Sequence, residues 1–206
     1  MYWYYIVFWP IIYLGYSYLY SNYNKVVIFN LISALHSIGC FYFALMTYHE
    51  PVDYNYQRMS LFSCSYFIWD SYKLILTNTD LIYLYHHIVS IHVLEKIFLL
   101  DEYRSFYIML IIIGELSNFP NYLVYHLLKT SKENFNKIKY WKHVQLIWFI
   151  FFRIFIYGFV ALKVYLILND KFTILNLYAM YLLGVLWGFK QFKGVYQNYY
   201  CKIKNP

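Results

Sequence analysis

Charge is what this chain has least of. Aspartate, glutamate, lysine and arginine make up 13% of its 206 residues, about half the share usual in soluble domains, which excludes an ordinary water-soluble globule. The three cysteines, Cys40, Cys64 and Cys201, are spaced for neither a disulfide framework nor a zinc site. "MYWYYIVFW" lacks the basic leader of a secretory signal peptide, and no small-residue cleavage site follows it. The first apolar stretch is therefore expected to stay in the mature protein. Internal repeats, low-complexity tracts and polar segments long enough for a soluble domain are also missing.

What fills the chain instead is apolar: 62% hydrophobic and 25% aromatic residues, with a mean hydropathy of +0.42. The apolar residues come in runs of helix-spanning length, and more than half of the charges fall between the runs. Seven spans are predicted, at about 3–20, 26–48, 60–77, 80–100, 103–128, 142–168 and 173–197. The expected fold is thus all-α and integral to the membrane. A first helix and loop occupy 1–25, one membrane domain occupies 26–200, and a short tail occupies 201–206.

A formal charge of +7 would suggest nucleic acid in a soluble protein, but between spans it sets orientation. With the C-terminus in the cytosol, Lys25, Lys129, Lys132, Lys137, Lys139, Lys142, Lys190, Lys193, Lys202 and Lys204 fall on the cytosolic side. Only Arg58, Arg104, Lys163 and Lys171 fall opposite. The closing "CKIKNP" places Lys202 and Lys204 as in a dilysine retrieval signal, which works on cytosolic tails and points to the endoplasmic reticulum. No nucleic-acid partner is expected.

An ionisable side chain near the centre of a span costs about 2.5 to 3.5 kcal/mol on insertion scales, so it normally faces protein or a wet cavity. Asp70, Lys73, Glu115 and Arg153 are such residues, joined by His36 and the adjacent His86 and His87 of "LIYLYHHIVSIHVLEK". At 1.5 Å per residue, Asp70, His86 and His87 lie roughly 10 Å deep, and His36, Glu115 and Arg153 roughly 15 to 20 Å. Ser63, Tyr66, Asp70, Lys73 and Thr77 share one helix face; Ser33, His36, Ser37 and Cys40 share another; Glu115, Asn118, Tyr122 and Tyr125 a third. One inner chamber lined by Asp70, His86, His87, Glu115 and Arg153 is the expected arrangement. Ion pairs of Asp70 with Lys73, or Glu115 with Arg153, that merely hold helices together are the structural alternative.

In order along the chain, "SLFSCSYFIWDSYKLI", "YLYHHIVSIHVL", "GELSNFPNYL", "FIFFRIFIYGF" and "LLGVLWGFKQF" resemble the TLC domain, the TRAM, LAG and CLN homology family of membrane proteins. The resemblance covers about residues 30 to 195. It implies six spans in a helical barrel around a lipid-receiving cavity, the first span lying outside the ring. The family's ceramide synthases transfer an acyl group from acyl-CoA to a sphingoid amine. By motif position the resemblance makes His86 and His87 catalytic, with Asp70 their acidic partner; the other polar groups inside the spans, His36, Lys73, Glu115, Asn118 and Arg153, are expected to bind lipid. Acyl-CoA would be the co-substrate, with no resident cofactor or metal. Ceramide synthases carry a second His-Asp cluster where this chain has Gly114, Glu115 and Asn118, and "GELSNFP" looks more like the smaller TLC proteins of membrane-lipid homeostasis. The alternative is a lipid carrier, sensor or sorting receptor in which the same groups hold a headgroup.

Two other patterns read more plainly. Iron-dependent membrane desaturases need repeated histidine boxes, and one His-His pair supplies too few ligands. Gly184 and Gly188 form a G-x-x-x-G, expected to let a neighbouring helix come close.

Overall fold

A computed structural model describes residues 4–21, 25–76, 81–99, 103–130 and 134–204, excluding the side chains of 97–99 and 197–204. The described elements are helices: α1 (Tyr4–Leu19), α2 (Lys25–His49), α3 (Asp53–Leu76), α4 (Leu81–Leu99), α5 (Arg104–Thr130), α6 (Phe135–Phe149), a π-helical segment (Ile150–Ile156), α7 (Tyr157–Ile167) and α8 (Lys171–Lys204). The segments α6, π and α7 run on as one helix. Hydrocarbon offers the backbone no hydrogen-bond partner, so apolar runs of this kind satisfy themselves as helices.

All seven predicted runs are helical. Four helices are long and apolar enough to cross a membrane: Lys25–His49, Arg104–Thr130, Phe135–Ile167 and Lys171–Tyr196. The coarse expectation, an all-helical membrane protein, rests on these four. The other three fall outside that set. α1 has 16 residues, about 24 Å of helix against a hydrocarbon core of about 30 Å. α3 and α4 are longer but diluted by polar residues, among them Ser60, Ser63, Ser65, Asp70, Ser71 and Lys73 on α3 and His86, His87, Ser90 and His92 on α4.

Helix ends differ from the apolar runs where polar residues continue a helix beyond the greasy stretch. α3 begins at Asp53 rather than near 60, and α6 at Phe135 rather than 142. Pro51 cannot extend α2, and Asp53 sits in the first turn of α3, where the helix dipole favours an acid. α8 continues to Lys204, so Cys201, Lys202 and Lys204 belong to its last turns rather than to a detached tail. Thr77 and Lys132 lie outside the described residues.

The chain divides into two compact units, Met1–Ile112 and Ile113–Pro206. In the first, α3 packs against α1, α2 and α4. Its core holds Trp9, Ile32 and Met59, each fully buried. The Trp9 ring packs on Phe62, Tyr66 and His36 at centroid distances of 4.9, 5.1 and 5.7 Å, and its Nε1–H donates to Ser65 Oγ at 3.0 Å.

In the second unit, α8 packs against α6, the π segment and α7. The glycine pair makes the close approach expected of it. A Cβ on Gly184 would lie 3.1 Å from Arg153 Cγ, and one on Gly188 3.2 Å from Ile154 Cδ1. Pro120 sits inside α5 and has no N–H to give the carbonyl four residues back, that of Leu116. Trp148 of α6 takes over that bond, its Nε1–H donating to Leu116 O at 2.8 Å. Trp148→Phe is therefore expected to cost about 1 to 3 kcal/mol, the penalty of an unsatisfied carbonyl. Adding Pro120→Ala should recover most of that loss by restoring the backbone donor. Thermal unfolding in detergent measures both, and a double variant no more stable than Trp148→Phe alone would refute the compensation.

Candidate functional site

The polar groups of the first unit gather on α3 and α4. Asp70 and Ser71 are neighbours on α3, and His87 reaches both from α4. Asp70 Oδ2 lies 3.5 Å from His87 Nε2, and Ser71 Oγ lies 3.2 Å from His87 Nδ1. His87 is buried, with Asp70 and Ser71 partly so. In the tautomer with its proton on Nε2, the imidazole presents that N–H to the carboxylate and accepts from the Ser71 hydroxyl at Nδ1. The Asp70 contact is longer than a good hydrogen bond, a looseness common in unliganded sites. His87 packs against Phe67 and Tyr66, at 5.2 and 6.5 Å between centroids, which shields it from solvent.

His86 lies beside the pair on a half-buried face, its ring 5.7 Å from that of His87 and 6.3 Å from that of Phe67. A turn further along α4, His92 Nδ1 approaches Glu95 at 3.7 Å.

The remaining first-unit residues expected to hold lipid are set in aromatic surroundings. His36 is 2% exposed, stacked on Tyr66 at 3.8 Å, and its buried Nε2 has no hydrogen-bond partner among the described residues. The Lys73 ammonium sits against Tyr13, Phe29 and Trp69, at 3.3, 3.7 and 4.9 Å from the ring centroids. Three π faces can hold a cation in a poorly hydrated place. Tyr66 Oη donates to Ser33 Oγ at 2.8 Å and Ser63 Oγ to Cys40 Sγ at 3.0 Å, so two of the predicted polar faces do meet.

Glu115, Asn118 and Arg153 belong to the second unit. Asn118 lies at the edge of an amide cluster: Asn121 Oδ1 accepts from Gln145 Nε2 at 2.9 Å and from Gln191 Nε2 at 3.4 Å, and Asn121 Nδ2 is 3.5 Å from Asn118 Oδ1. Arg153 is 5% exposed, in the middle of the π-helical segment, with its guanidinium over the Tyr157 ring at 4.9 Å. It makes no ion pair with Glu115. Between α7 and α8 runs a groove of about 1090 Å³ lined chiefly by apolar and aromatic residues, among them Phe155, Phe159, Tyr165, Tyr178 and Tyr181.

Ser71 and the amide cluster carry polar chemistry that residue spacing did not reveal. Ser71 is one position from Asp70, about 100° around the helix, so a search for residues three and four apart passes over it. Its signal was the dipeptide Asp70-Ser71 inside an apolar run. No family model matches the chain, and neither a characterised protein nor a solved structure matches it.

Proposed function

We propose that this is a multi-pass membrane protein of lipid homeostasis, of the TLC type, that transfers an acyl group from acyl-CoA to a lipid amine or hydroxyl. The observation that carries the proposal is the placement of His87 between Asp70 and Ser71. A nucleophile within reach of a base that a third group orients is the arrangement of covalent acyl transfer.

In that reaction the Ser71 hydroxyl gives its proton to His87 Nδ1 and attacks the thioester carbonyl. The carbon–sulfur bond breaks, and the departing thiol takes the proton back from His87. The lipid amine or hydroxyl then attacks the acyl-serine ester, losing its proton to His87, and Ser71 Oγ leaves and is reprotonated. Asp70 stabilises the charged imidazole through both steps. His86 supports the acyl donor from the half-buried face.

The test is mass spectrometry of purified protein given acyl-CoA without acceptor. An acyl increment on the Ser71 peptide is expected, lost in Ser71→Ala and in His87→Ala. Turnover with an acceptor that is unchanged in His87→Ala would remove His87 from the mechanism, and no turnover in the native chain would end the enzyme reading.

The α7/α8 groove favours a second reading, a lipid carrier, sensor or sorting receptor, since an apolar groove of this volume suits an acyl chain. That reading expects co-purifying lipid retained in His87→Ala together with no turnover in the native chain.

Crossing by all seven helices, a cytosolic C-terminus and residence in the endoplasmic reticulum belong to the same proposal, supported by the lysine bias and by Lys202 and Lys204. Replacing Lys202 and Lys204 by serine is expected to release the protein from that compartment. A C-terminal tag should be reached by antibody after selective permeabilisation of the plasma membrane, and protection of the tag would reverse the orientation.

A further inference from the structure

We infer that Arg153 is the binding residue for an oxyanion, a carboxylate or phosphate group, held inside the second unit between α5, the π-helical segment and α8. Among the described residues Arg153 makes no ion pair and no hydrogen bond. Among those residues its Nε is buried without a partner, and the guanidinium lies over the electron-rich face of the Tyr157 ring. The residue lies roughly 27 Å of helix from the Phe135 end of its span and about 21 Å from the Ile167 end. It is therefore far from either surface, beyond the reach of a snorkelling side chain.

A guanidinium does not discharge as a buried lysine can, so a buried one calls for an anion. Glycines on two neighbouring helices let this side chain pack in close. A Cβ on Gly114 would lie 2.9 Å from Arg153 Nη1, and one on Gly184 would press on its Cγ. The helix is locally π-wound at this position, a distortion often found at functional sites. Two helical turns along the same seam stands the cluster of Asn121, Gln145 and Gln191, where Gln191 Oε1 is buried and unpartnered. Together these make a polar seam inside a spanning unit, in which the planar fork of Arg153 is suited to two oxygens.

The anion could come from a lipid or from free solute, and the probes separate the two. Delipidated protein in uncharged detergent is heated with oleate, with oleyl alcohol or with inorganic phosphate. Oleate raising the melting temperature where oleyl alcohol does not assigns a lipid carboxylate; phosphate acting alone assigns a free anion. Either shift should weaken at least roughly tenfold in apparent affinity in Arg153→Met, as expected on losing a charge-assisted hydrogen bond. Arg153→Met should unfold no earlier than the native chain when both are delipidated, because it removes an unpaired charge. Gly114→Ala puts a Cβ 2.9 Å from Nη1, so the guanidinium must shift with its charge intact, and it should also weaken the response. It carries the test should Arg153→Met fail to fold. Equal shifts from oleate and oleyl alcohol, a shift that survives both variants, or no shift from any probe would overturn the inference. The inference needs only the membrane-spanning character of the second unit, so His87→Ala should bind as the native chain does, even if the acyl-transfer reading is lost.

Discussion

Replacing His87 by alanine is expected to lower acyl transfer by about 10² to 10⁴-fold, the usual contribution of a positioned general base. The effect should be large because His87 touches both Asp70 and Ser71. Removing it leaves the serine hydroxyl with no base and the carboxylate with no ring to orient. Residues that work as one unit do not add. Ser71→Ala combined with His87→Ala should therefore be little slower than either single change. Asp70→Asn should cost less than His87→Ala, since its 3.5 Å contact orients and stabilises but does not itself accept the substrate proton. Steady-state turnover with acyl-CoA and a panel of lipid acceptors measures all four variants. A double variant slowed by the product of the two single effects would show that Ser71 and His87 act separately.

Trp9→Ala is expected to be the most damaging single change to the first unit, at about 3 kcal/mol, the low end for a buried tryptophan. In lipid there is little water to exclude, so the loss is of packing rather than transfer. That packing is extensive: Trp9 is fully buried, ringed by Phe62, Tyr66 and His36, and bonded to Ser65. Trp9 is the one fully buried residue among those described on α1, and Tyr13 adds contacts to Phe29 and Trp69 at 5.2 and 6.0 Å. Trp9→Phe keeps most of the ring and should cost about 1 kcal/mol, because Ser65 Oγ still donates to Phe62 O at 2.9 Å. Loss of helical circular dichroism on heating in detergent reads both. An alanine variant as stable as native would mean that α1 is dispensable to the unit.

Much of the helical architecture was legible from periodicity and run length, because in hydrocarbon a backbone has few alternatives to the helix. The positions of α2 and α5 follow the apolar runs closely. The ends of α3 and α6 did not, since Asp53 to Met59 and Phe135 to Trp141 are polar enough to read as loop yet wind on as helix. The pairing of Asp70 with His87 was anticipated from similar depth in successive spans. Ser71 was not, because adjacency in sequence sends two side chains in different directions unless a third residue sits between them.

Arg153 shows the same division. Its place deep in an apolar run marked it as unusual, and Glu115 was the natural partner to name. Only the packed helices show the guanidinium set against Gly114 and Gly184 and over Tyr157, with no carboxylate paired to it among the described residues. From its residues alone, the chain determined that it would be helical, that it would enter a membrane and which few polar groups would be out of place there. Tertiary structure decided which of those groups touch, because contact depends on the rotation of each helix about its own axis, and that angle is set by packing partners distant in the chain.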